Sequence, residues 1–136
     1  MIRSSFVAAA LLLLAPTLSP DSALAQASKD KPTPATAMEV NTYGLMSIAT
    51  FCDARALKID FSKSLRVALA GQGHVIYGKH GGLIPGLKTP LPEKQFLNRA
   101  SFLIVGGALK LCPKSVPAAE KKRFEDAAAS LKQVKE

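Results

Sequence analysis

The chain has 136 residues, a net charge of +8, 48% hydrophobic residues, two cysteines and two histidines. That length accommodates one domain and excludes a second. Cysteines sixty residues apart exclude C-x-x-C redox chemistry, and the surplus of cations points toward acidic partners.

The first 25 residues carry the three parts of a secretory signal peptide. Arg3 supplies the positive end, Phe6 to Ala15 form an uncharged apolar run, and Ala23-Leu24-Ala25 fits small-x-small cleavage before Gln26. The run is about half of the ~20 residues a bilayer span requires, so it reads as a signal and leaves no transmembrane segment after cleavage. No cysteine precedes Cys52 to carry a lipid anchor. Export to a periplasm, thylakoid lumen or extracellular space would place Cys52 and Cys112 where thiols oxidise, which predicts a disulfide between them. Closing a loop of that length stabilises a fold by about 4 kcal/mol. Cleavage removes Arg3 and Asp21 together, so the net +8 is kept.

Residues 26–37 (QASKDKPTPATA) have no large apolar side chain and read as a disordered leader before a single helical domain over residues 38–136. The first helix is expected from about Asn41 to Leu57, capped by Asn41 or Thr42, with Leu45, Ile48, Ala49, Cys52 and Ala56 on its inner face. A second begins after the cap Asp60 and continues toward His80. Gly71 and Gly73 within it imply a kink or a close backbone neighbour, and Gly81-Gly82 supply a left-handed stop. Pro85-Gly86 marks a turn in the connection from Leu83 to Pro90.

A third helix opens with Pro92 in its first turn, followed by Glu93. Its stretch Phe102 to Val105 is apolar all round, the pattern of the most buried helix, and Gly106-Gly107 would admit a close neighbour. Pro113 ends it. The last helix is expected from Ser115 as cap with Pro117 in the first turn, and its narrow stripe of Phe124, Ala127, Ala128, Leu131 and Val134 suits a surface position. The fold class is therefore all-α, a small bundle of about four helices with one disulfide tying helix one to the end of helix three.

Few residues point to chemistry. His74 and His80 lie six apart, roughly 120° apart around a helix, unlike an i,i+4 ligand pair. A metal site of Cys52, His74, His80 and Cys112 has no finger-like spacing, so the residues imply neither a metal nor another cofactor. The segment Lys79-His80-Gly81-Gly82 is a candidate anion or ligand contact through its backbone N–H groups, and equally a helix end whose cations face the negative dipole. Glu39, Asp53, Asp60 and Glu93 are scattered, and Tyr43 and Tyr77 suit the edge of a core or the rim of a groove. Lys121 with Glu125 and Lys122 with Asp126 form i,i+4 pairs, so the densest basic run is already compensated. A nucleic-acid surface would need a longer bare stripe with aromatics; an acidic protein, a polysaccharide or an anionic lipid surface fits better.

The runs Glu39-Val40-Asn41-Thr42-Tyr43-Gly44-Leu45-Met46-Ser47, Lys79-His80-Gly81-Gly82 and Val105-Gly106-Gly107-Ala108-Leu109-Lys110-Leu111-Cys112-Pro113 resemble small exported proteins of marine picocyanobacteria. Some of those carry the label of class-II cyclic-AMP phosphodiesterase, a hydrolase activity of the metallo-β-lactamase superfamily. That activity would imply an H-x-H-x-D-H metal cluster on an αβ/βα sandwich, and this chain has neither the cluster nor a run that reads as a strand. The reading from the residues is a non-enzymatic accessory or binding module for an acidic partner. One alternative is a carrier of a small apolar ligand, with a pocket near Gly71, Gly73, Gly106 and Gly107; another is a hydrolase, such as a cyclic-nucleotide phosphodiesterase, using His80 or His74 as a base.

Overall fold

The computed structural model describes residues 31–133. The expected signal peptide, residues 26–30 of the expected leader and Val134 lie outside the described residues. The fold is all-α: α1 (Ala37–Ala56), α2 (Phe61–Gly78), α3 (Glu93–Leu111), a 3-10 turn (Pro113–Ser115) and α4 (Ala118–Gln133). Cys52 and Cys112 form the expected disulfide, with their Cα atoms 6.0 Å apart. Among the described residues no helix is long and apolar enough to cross a membrane.

Helix α1 starts before the expected Asn41. Its cap is Thr36, whose hydroxyl accepts the Glu39 N–H at 3.1 Å while the Glu39 carboxylate accepts the Thr36 N–H at 2.9 Å. This reciprocal box satisfies two otherwise orphaned donors. The segment expected to be a disordered leader up to residue 37 is thus corrected over its last residues. Ala35 is buried and its N–H donates to the Leu83 carbonyl at 2.9 Å. The capping box and hydrogen bonds to the segment that follows α2 order this stretch although it has little apolar surface to bury.

The inner face of α1 also differs from the periodic reading. Phe51, Ser47 and Ala54 are buried, Ile48 and Cys52 pack against the core, and Leu45 is exposed. Ser47 can face inward because its hydroxyl donates to the Tyr43 carbonyl at 2.9 Å. Asp60 caps α2 by accepting the Lys63 N–H, and α2 continues through Gly71 and Gly73 without a break. A Cβ on Gly73 would lie 3.3 Å from the Phe96 ring, so a side chain, not a backbone, takes the space.

Helix α3 carries five buried residues, the most of any helix, but its apolar stretch is not covered all round: Leu103 is 64% exposed. Among the described residues no helix lies over that side. Pro92 precedes α3 as its cap instead of lying in its first turn. Gly107 accepts the Ile48 side chain of α1, and Gly106 accepts the Phe124 ring of α4. Ile48 facing Gly107 and Cys52 facing Cys112 make α1 and α3 parallel, so their C-termini share the disulfide end of the bundle. Ser115 belongs to the 3-10 turn and does not cap α4, which begins after Pro117. The core has two parts. Phe51, Ala68, Ile104, Val105, Ala108 and Val116 pack near the disulfide, and Ile76, Leu91, Phe96 and Ala100 pack at the other end.

Candidate functional site

The most polar interior of the protein lies where α1 begins and α2 ends. Gly81 and Gly82 adopt φ of +59° and +76°, which turns the chain sharply after α2 and drives His80 inward until it is 2% exposed. Its Nδ1 lies 2.8 Å from the Thr33 carbonyl and its Nε2 3.1 Å from the Tyr43 hydroxyl. A carbonyl only accepts, so in the neutral ring the proton sits on Nδ1 and Nε2 accepts from Tyr43. The Tyr43 oxygen in turn accepts from Lys79 Nζ at 3.3 Å, and Lys79 also pairs with Glu39 at 2.8 Å. The Lys79 ammonium, with the Thr36 N–H and hydroxyl, holds the Glu39 carboxyl down at about 2, and Glu39 and Tyr43 push the Lys79 ammonium up.

This chain of groups ends on a backbone carbonyl, and each member is partnered within the protein. The backbone is spoken for as well. The N–H groups of Lys79, Gly81 and Gly82 donate to Val75, Tyr77 and Ile76 carbonyls. A Cβ on Gly81 would meet Pro32, and one on Gly82 would meet Tyr77 and Pro90. The candidate contact of Lys79, His80, Gly81 and Gly82 is therefore a clamp: its amides are turned into the fold, leaving none of these three to cradle an anion.

The remaining sequence candidates are dispersed. His74 is exposed beside Tyr77 and Glu93 along an open groove of about 520 Å³ between α2 and α3. Burial, with the Glu93 charge, raises the Tyr77 phenol above its ordinary range while its hydroxyl donates to the Leu91 carbonyl at 2.8 Å. Both cysteines are committed to the bridge, and among the described residues no three His, Cys, Asp or Glu side chains gather as metal ligands. The four glycines expected to enclose one pocket do not. Phe96, Phe124 and Ile48 pack against Gly73, Gly106 and Gly107, and the glycines border three different grooves: Gly73 the one between α2 and α3, Gly106 and Gly107 one of about 400 Å³ beside Phe124, and Gly71 one of about 150 Å³.

Two features have no sequence signature. The first is the side-chain oxygen of Gln72: the helical period shared with Ala68 and Ile76 turns this α2 residue inward, where it is 8% exposed, and its Oε1 is the buried side-chain polar atom without a partner among the described residues. Gln72 borders an apolar groove of about 460 Å³ lined by Val40, Leu45, Ile48, Ile84 and Leu103. The second is the disulfide end. Arg55 donates from Nε to the Ser115 carbonyl at 2.8 Å and from Nη1 to the Ile59 carbonyl at 2.6 Å, so it ties the α1–α2 turn to the turn after α3. Around it stand Lys58, Lys63, Lys110 and Lys114, all exposed and in none of the ion pairs among the described residues, against the carboxylates of Asp53 and Asp60. Asp60 is already engaged at the start of α2. By contrast the basic run on α4 is answered by Lys121–Glu125, Lys122–Asp126 and Arg123–Glu120.

No curated protein and no solved structure matches this chain. Residues 38–136 match the family described as Domain of unknown function (DUF8650), and the chain belongs to that family.

Proposed function

We propose that the protein is exported to a periplasm, thylakoid lumen or extracellular space and acts there as a non-enzymatic binding module for an acidic partner. The observation that carries this reading is the contrast between the two polar regions. The Glu39–Tyr43–Lys79–His80 cluster is satisfied internally, whereas Lys58, Lys63, Lys110 and Lys114 meet no carboxylate within ion-pair distance among the described residues. Uncompensated cations raise the local concentration of anions and speed their encounter. Retention on an immobilised polyanion such as polyglutamate tests it. Replacing those four lysines by glutamine is expected to lower the eluting salt concentration clearly more than replacing Lys121 and Lys122 on α4. Equal effects from the two sets, or no retention at all, would remove the reading.

A second reading has its own observation. The groove beside Gln72 is lined mostly by apolar side chains, with Asn41 and Gln72 as its polar members, and the buried Gln72 oxygen has no partner among the described residues, which suits a small apolar ligand bearing a hydrogen-bond donor. Such a ligand at a hundred times its Kd would add about 2.7 kcal/mol of stability. A thermal-shift screen should then favour hydroxyl- or N–H-bearing apolar compounds, with the preference lost in Gln72→Leu; an unmoved midpoint throughout would dispose of this second reading.

A further inference from the structure

At the disulfide end, lysines alternate with aliphatic side chains that the fold leaves in water. In the α1–α2 turn Leu57 is 76% exposed, Lys58 follows it, and Ile59 is 37% exposed. Beside the bridge, Lys110 precedes Leu111, which is 66% exposed. The Cys52–Cys112 bond and the two Arg55 hydrogen bonds hold these turns together, so the surface is formed before any partner arrives.

Lys58 has a conformation that its side chain does not favour. At φ +62° it is the single non-glycine residue with positive φ among the described residues. It occupies the left-handed position of a Schellman motif: its N–H donates to the Arg55 carbonyl at 3.0 Å, and the Ile59 N–H donates to the Ala54 carbonyl at 3.1 Å. Glycine fits that position without strain, so a lysine there places a cation at the tip at the expense of backbone comfort.

We propose that the disulfide end docks peripherally on an anionic lipid bilayer, with Leu57, Ile59 and Leu111 entering the headgroup layer and Lys58, Lys63, Lys110 and Lys114 meeting lipid phosphates. This rests on the acidic-partner reading and names the partner. A soluble polyanion satisfies the lysines but gives the leucines nothing. A charged bilayer offers both contacts a few ångströms apart, anionic at the surface and apolar beneath. Asp53 and Asp60, the two carboxylates at this end, weaken the attraction without cancelling it.

The test is co-sedimentation of the disulfide-bonded protein, as recovered from cells, with phosphatidylcholine vesicles containing or lacking phosphatidylglycerol. Variants carry the same N-terminal segment, so differences between them report on the tip. Binding is expected only with phosphatidylglycerol and should fall as salt rises. Lys58→Gly should weaken it about fivefold, the contribution of one lysine near such a surface, while the thermal midpoint holds or rises. Leu57→Ser combined with Leu111→Ser should weaken it by roughly tenfold or more and leave polyglutamate binding unchanged. Equal binding to vesicles without phosphatidylglycerol, or vesicle binding indifferent to the two leucines, overturns the proposal. Binding to polyglutamate but not to vesicles overturns it and leaves the acidic-partner reading standing; binding to neither removes both.

Discussion

The imidazole Nδ1 of His80 sits 2.8 Å from the carbonyl oxygen of Thr33, 47 residues earlier in the chain. That bond fastens the segment leading into α1 onto the end of α2. His80→Ala removes a fully buried ring, leaves the Thr33 carbonyl without its partner and leaves the Tyr43 hydroxyl only Lys79 and the longer contact to Glu39, at a cost of about 2–4 kcal/mol. Loss of protection of the Ala35 amide in hydrogen exchange should accompany the lower melting temperature. A variant that melts lower while Ala35 stays protected would show that the ring only fills space.

Glu39 sets an acid-side dependence. Its folded-state value is about 2 against an ordinary 4.5, because Lys79 and Thr36 stabilise the carboxylate. A depressed carboxyl contributes stability that is fully present above 4.5 and is lost as pH falls from there through about 2. Glu39→Gln should therefore reduce stability at neutral pH and flatten the decline between those two values. The check is a series of denaturant melts across that range for both proteins; parallel curves would rule out the linkage.

The bridge joins residues 60 apart. Its reduction should lower stability by about 4 kcal/mol, a large fraction of what a domain of this size possesses. If the protein is exported as proposed, its intact mass is expected to correspond to a chain starting at Gln26 and lacking two hydrogens. Two titratable thiols in the native protein would contradict this.

Gly107 lies against Ile48, and a Cβ placed there would be 2.7 Å from Ile48 Cγ1. Gly107→Ala must push α1 away from α3 or force Ile48 off its rotamer, at about 1–3 kcal/mol. Gly71→Ala meets nothing and, being inside a helix, should be neutral or stabilising by up to about 1 kcal/mol. Chemical denaturation of the pair gives a direct contrast, and a destabilised Gly71→Ala would contradict the open space seen beside it.

What could be read from the sequence was local. Asp60 as a cap, the stop at Gly81-Gly82, the turn at Pro85-Gly86 and the pairing of two cysteines follow from rules that span a few residues or from simple counting. Thr36-Ala37-Met38-Glu39 is a capping box in plain view, yet the polar composition around it masks the start of α1. The faces of α1 and α3 differ from the periodic reading because Leu45 and Leu103 look like core residues, and none of the described residues covers them. Neither the inward turn of His80 nor the ties of Arg55 has a local signature: their partners Thr33 and Ser115 are brought close only by the assembled fold. A left-handed lysine has no signature in hydrophobic periodicity at all.

Helix α4 packs on α3 through one principal side chain, the Phe124 ring, which fills the notch at Gly106 and stacks on Phe102 with centroids 4.5 Å apart. Phe124 reaches the core near the disulfide, but α4 supplies no residue to the second core, to the disulfide or to the contacts of His80. Unfolding is then graded instead of all-or-none: α4 is the segment that detaches first, at a free energy well below that of global opening, while the bundle behind it stays closed.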